Sequence, residues 1–66
     1  MFGERLKELR LDRNLTQKQL GDIFNVKQTR ISDWEAGSHE PGFQMLIDFA
    51  VFFNVSVGQL LGAEEY

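Results

Sequence analysis

TQKQLGDIFNVKQTRISDWEAG, residues 16–37, is the stretch that decides how this chain folds. It reads as two short helices joined by a tight turn. Leu20, Phe24, Val26, Ile31 and Trp34 fall where such a pair must bury apolar side chains. Gly21 stands where the two helices would cross most closely, and Asn25 stands where the turn needs a left-handed residue. Thr16 can cap the first helix, with Gln19 three residues on to complete a T-x-x-Q capping box. The second helix is expected from about Lys27 to Ala36, closed by Gly37. Its outer face is polar. Several independent requirements meet in one window.

Outward from this window the pattern calls for five short helices and no strand, an all-α class. Upstream, Phe2, Leu6, Leu9 and Arg13 share one helical face with Arg10 beside it, Asn14 ends the helix and Leu15 turns inward. Downstream, residues 38–42 form a loop, with Pro41 opening or preceding the fourth helix. That helix presents Phe43, Leu46, Ile47, Phe49, Ala50 and Phe53 in a wide inward arc and closes at Asn54. Ser56 caps a brief last helix holding Val57, Leu60 and Leu61, which Gly62 ends. Glu64, Glu65 and Tyr66 are expected to fray.

With 66 residues the chain is expected to be one domain, near the lower size at which a core suffices without staples. It has no cysteine, which excludes disulfides and thiolate metal sites. Met1-Phe2-Gly3 runs straight into ERLKELR, so no signal peptide is expected. The richest apolar run, Leu46 to Phe53, is broken by Asp48 and too short to span a bilayer. A cytoplasmic protein without membrane contact is the expectation.

The formal net charge is −3, yet its distribution matters more. All seven basic residues lie in the first 30 positions against four acids, a local excess of +3. From Ile31 onward there are six acids and no Lys or Arg. Local sign decides which face can approach a polyanion. Enzyme chemistry finds little support: there is one histidine, no nucleotide-binding glycine loop and no metal-ligand spacing. Glu4, Glu8 and Asp12 recur on a charged outer face, as solvated ion pairs do. No cofactor or metal is expected.

With these elements placed, the chain resembles the phage Cro/repressor-type (XRE-like) helix-turn-helix family. The matching words are LKELR at 6–10, LTQKQL at 15–20, Val26, ISDWEAG at 31–37, Pro41 and NVSVGQLL at 54–61. The likeness covers nearly the whole chain. It implies a compact five-helix, lambda-repressor-like DNA-binding domain over 1–66, with the helix-turn-helix at about 16–36. It further implies transcription regulation, commonly as a dimer on a two-fold operator of double-stranded DNA.

A helical wheel on the third helix turns Ile31, Trp34 and Glu35 toward the domain, with Thr29 and Asp33 nearly opposite. Ser32 and Gln28 lie on one flank and Arg30 on the other. Gln28 can bond an adenine edge through both ends of its amide, Thr29 can touch a thymine methyl, and Ser32 can donate or accept. Asp33 repels phosphate unless it accepts from a cytosine amino group. Lys27 replaces the Ser or Thr cap that relatives often carry, and it can reach a phosphate or a guanine. The family resemblance implies a phosphate contact for Gln17. Arg13, Lys18, Arg30 and His39 are further phosphate candidates, His39 being the one candidate in a loop where relatives carry Lys or Arg. The family also pairs the positions of Arg10 and Glu35 in an internal salt bridge.

Helix four carries more apolar surface than one core face requires. Met45 and Phe52 share a stripe, with Val51 beyond the opposite flank and Val57 nearby. A homodimer through these residues is expected. The rival reading is an antitoxin or anti-repressor type module that grips a partner protein through its acidic C-terminal half.

Overall fold

A computed structural model describes residues 2–64. It holds α1 (Phe2–Asp12), α2 (Gln17–Phe24), α3 (Gln28–Ala36), α4 (Phe43–Phe53) and α5 (Val57–Leu60), with no strand among the described residues. The all-α expectation is met. Several boundaries have a local cause. The Thr16 hydroxyl accepts from the Gln19 N–H at 3.0 Å while the Gln19 side chain accepts from the Thr16 N–H at 2.8 Å. Ser56 and Gln59 repeat the same reciprocal box at α5. Asn25 ends α2 in the left-handed region at φ 58, and Gly37 ends α3 at φ 82.

Phe49 is the hub of the core. It is fully buried, and its ring meets Phe24 edge-on at 4.6 Å and Trp34 edge-on at 5.7 Å, with Phe2 at 6.4 Å. One aromatic side chain on α4 thus gathers α1, α2 and α3. Leu6, Leu20, Ile31 and Leu60 complete the sealed centre. Burial of each such side chain stabilises by about 1.5–3 kcal/mol.

Two close approaches hold α3 in place. A Cβ on Gly21 would stand 2.7 Å from the Val26 carbonyl oxygen, so the turn folds tightly over α2. A Cβ on Gly3 would stand 2.6 Å from the Trp34 carbonyl oxygen and closer still to that of Glu35. Gly3 therefore lets the first turn of α1 lie against the last turn of α3.

Two expectations are corrected, those for Phe43 and Glu64. Phe43 is 73% exposed rather than inward. Ala50, seven residues on and at nearly the same azimuth, is buried, so Phe43 lies beyond the end of the core on α4's first turn. Met45, Phe52 and Val57 are half-buried and pack against the core, Phe52 edge-on to Phe24 at 5.2 Å; of the four dimer candidates, Val51 is the one left largely free, at 75% exposure. Glu64 folds back to accept from the Ser56 hydroxyl at 2.8 Å, while the fraying expected of Glu65 and Tyr66 lies outside the described residues.

Candidate nucleic-acid interface

The polar side of α3 faces solvent because its opposite side is spent on the core. Ile31 and Trp34 are buried; Lys27, Gln28, Thr29 and Arg30 are exposed, and Ser32 and Asp33 are half-exposed. Lys27 occupies the N-cap position with extended backbone, φ −72 and ψ 150, and makes no side-chain cap bond. The first N–H groups of α3 thus lack the oxygen a Ser or Thr would offer.

At the elbow between α2 and α3, a shallow open depression is lined by Lys18, Asn25, Val26, Lys27 and Gln28 among others. A second depression is lined by Asn25, Val26, Lys27, Thr29 and Arg30. Together they bring three cations, Lys18, Lys27 and Arg30, to the same region as Gln28 and Thr29. Lys18 shares its charge with Asp22 one turn on, Nζ to Oδ2 at 3.2 Å, in a solvated pair. Asn25 is exposed and lines both depressions, although its sequence context gives it a turn role alone. No feature of the sequence separates those two roles.

Beneath this surface lies a charged brace. Arg10 is buried, and its Nε donates to Glu35 Oε2 at 2.6 Å while Nη2 donates to Oε1 at 3.0 Å. Its Nη1 donates to the Leu15 carbonyl at 2.8 Å. Gln17, at the start of α2, donates from Nε2 to Glu35 Oε1 at 3.1 Å. One carboxylate on α3 is thereby tied to α1 and α2 together. No buried side-chain nitrogen or oxygen among the described residues lacks a partner. The side-chain amide of Gln17 is committed to Glu35.

Arg13 is not part of the α3 surface group. Its Nη2 donates to the Phe52 carbonyl at 3.1 Å, and its guanidinium lies 5.2 Å from the Phe52 ring centre and 5.5 Å from that of Phe53. A cation over aromatic faces at a helix C-terminus is favourably placed there. Arg13 thus clasps α1 to the end of α4, a role its helical position does not reveal.

His39 stands beside Asp33 instead, Nδ1 to Oδ2 at 3.8 Å. Gly37 turns the chain back, and the Ser38 N–H donates to the Asp33 carbonyl at 3.0 Å, which fixes the start of that loop. Among the described residues no cluster of three or more His, Asp or Glu is placed to hold a metal ion, and no helix is long and apolar enough to cross a membrane.

A helix-turn-helix family model matches residues 6–60. Over 64 residues, 97% of this chain, the sequence is 42% identical to the HTH-type transcriptional activator BcrR of Enterococcus faecalis and covers 31% of it. It is 33% identical over 64 residues to the HTH-type transcriptional regulator ImmR of Bacillus subtilis, again 97% of this chain and 50% of that protein. It is 31% identical over 62 residues to the immunity repressor protein of Bacillus phage phi105, 94% of this chain and 43% of that protein. The chain therefore spans between 31% and 50% of these relatives' length. On the match over residues 6–60 and these identities, the chain belongs to the XRE-type helix-turn-helix family.

Proposed function

We propose that this domain is a sequence-specific DNA-binding regulator of transcription that lays α3 in the major groove. The observation carrying this reading is the outward set Lys27, Gln28, Thr29, Ser32 and Asp33 on a helix backed by buried Ile31 and Trp34. A rigid helix with a polar, hydrogen-bonding face is the element that reads base edges in that groove. Gln28 bonds adenine, Thr29 meets a thymine methyl, Ser32 and Asp33 take neighbouring edges, and Lys27 reaches a guanine or a phosphate. Lys18, Arg30 and the Gln17 backbone N–H engage phosphates. Names of relatives include both an activator and repressors. Repression by covering a promoter is the action the phage-repressor relatives' names favour, with the cytoplasm as the place of action.

The operator is two-fold and the protein binds it as a homodimer. The body measures 28 Å in its longest dimension, so two copies side by side can present their α3 helices about 34 Å apart, one turn of DNA. The exposed Val51 and Phe43 on α4 supply apolar surface for such contact. The same surface supports a second reading, an antitoxin-like grip on a partner protein, because it lies in the half of the chain that has no Lys or Arg.

Selection from a random DNA library at low salt tests the leading reading. A two-fold site is expected, with Gln28→Ala losing the preference for one adenine in each half. Enrichment of no sequence by the unaltered protein contradicts it, because phosphate attraction is strongest at low salt.

A further inference from the structure

We infer that Asn25 does more than end α2: its side-chain amide, together with Lys27 and Arg30, seats one phosphodiester of the DNA backbone at the elbow. The seat rests on the proposed reading of DNA by α3. Asn14, Asn25 and Asn54 all stand in the left-handed region, at φ 57, 58 and 58. Their turns are closed by the same pair of backbone bonds. The Asn25 N–H donates to the Asp22 carbonyl at 3.3 Å and the Val26 N–H to that of Gly21 at 2.9 Å. At the end of α4, the Asn54 N–H donates to Val51 at 3.2 Å and the Val55 N–H to Ala50 at 3.0 Å. Each turn thus needs only its backbone, and glycine serves such a turn without steric cost. The Asn25 amide, on an exposed residue, has no hydrogen-bond partner among the described residues. It is free for a ligand.

Charge decides what that amide meets. Asn25 lines both depressions at the elbow, whereas Asn54 lines neither. The depression on the α2 side contains Asp22, whose carboxylate takes Lys18 at 3.2 Å. The other is lined by Asn25, Val26, Lys27, Thr29 and Arg30, two cations and no acid. Among the described residues, neither Lys27 nor Arg30 is held in an ion pair. A hollow that offers an amide donor and two unspent cations suits an anionic oxygen, whereas base edges carry no charge. Lys27 is thereby assigned to the backbone grip, and Gln28 is left to the bases. Because the hollow joins the end of α2 to the start of α3, a phosphate held there sets the register of α3 in the groove.

The test measures affinity for the duplex that the unaltered protein selects, by fluorescence anisotropy over a salt series. Asn25→Gly keeps the left-handed turn and removes only the amide. It is expected to bind about three- to tenfold more weakly, the scale of one solvent-exposed hydrogen bond. The slope of log affinity against log salt stays unchanged, because no charge is lost, and the same sequence is selected. Asn25→Asp also tolerates the turn but places a carboxylate in the hollow, so it binds more weakly still, with a slope lower by about one. Asn54→Gly, the same change away from the elbow, binds as the unaltered protein does. Neutral methylphosphonate, substituted for one phosphate at a time, locates the contact. At one position in each half-site it weakens the unaltered protein more than Asn25→Gly. Affinity of Asn25→Gly equal to that of the unaltered protein overturns the seat, as does equal loss in Asn54→Gly. Relaxed choice at one base pair in Asn25→Gly also overturns it, since Asn25 would then read a base. If the unaltered protein selects no sequence, DNA reading itself has failed, a result distinct from these. Circular dichroism melting of each variant excludes unfolding as the cause of any loss.

Discussion

Arg10 and Glu35 meet through two hydrogen bonds, at 2.6 and 3.0 Å, with side chains only 8% and 4% exposed. Such a pair is weak as a net source of stability, because both charges left water to form it. It is strong as a constraint. Glu35 also accepts from Gln17, so the orientation of α3 against α1 and α2 is fixed at one carboxylate. Glu35→Ala strands the Arg10 charge and is expected to cost about 3–5 kcal/mol in urea denaturation. The double variant Arg10→Met/Glu35→Leu recovers much of that loss, whereas equal loss in single and double variants would show that packing alone is at stake.

Gly3→Ala forces a methyl group onto the Trp34 and Glu35 carbonyls, which are backbone and cannot swing aside. A loss of about 1–3 kcal/mol is expected. Gly42→Ser is its counterpart. A Cβ at Gly42 meets nothing within 4 Å, and the residue holds the uncapped N-cap position of α4. The added hydroxyl is expected to stabilise by a few tenths of a kcal/mol. Thermal melting reads both.

Lys27→Ser separates stability from function. Serine at the N-cap of α3 supplies the missing oxygen and is expected to raise stability by about 1 kcal/mol. The same change removes a cation from the elbow, so DNA binding weakens even as the fold tightens. Loss of both, or gain of both, would remove Lys27 from the proposed interface.

Arg13 and Arg30 are both exposed arginines, yet opposite outcomes are expected for them. Arg13→Ala loses the clasp on Phe52 and Phe53, costs about 1 kcal/mol of stability and leaves the salt dependence of DNA binding unchanged. Arg30→Ala leaves stability alone and lowers the slope of log affinity against log salt by about one. Fluorescence anisotropy over a salt series distinguishes them.

Self-association through α4 is tested by charge. Val51→Lys places an ammonium on the exposed apolar surface and is expected to convert dimer to monomer in sedimentation equilibrium without lowering the melting temperature. Unaltered mass in that variant moves the contact elsewhere on the molecule.

Much of this architecture is legible in the residues. Thr16 with Gln19, Asn25 and Gly37 mark helix ends by local chemistry, and Ile31 with Trp34 fixes which side of α3 is buried. The outward face then follows by exclusion. Legibility fails where the cause is tertiary. Helix α4 is apolar on nearly every side, so periodicity cannot tell that Phe43 is exposed while Ala50 is not. Arg13 finds its partner 39 residues away, and Gly3 matters only because another helix ends against it. The Asp33–His39 contact likewise needs the turn at Gly37 before it exists.

Amide chemical shifts recorded while a selected DNA duplex is titrated into the isotope-labelled protein test the central claim most directly. Shifts concentrated at Gln17, Lys18 and residues 27–33, with α5 unmoved, are the expected result. Shifts confined to α4 and α5, with Gln28, Thr29 and Ser32 unmoved, would contradict it.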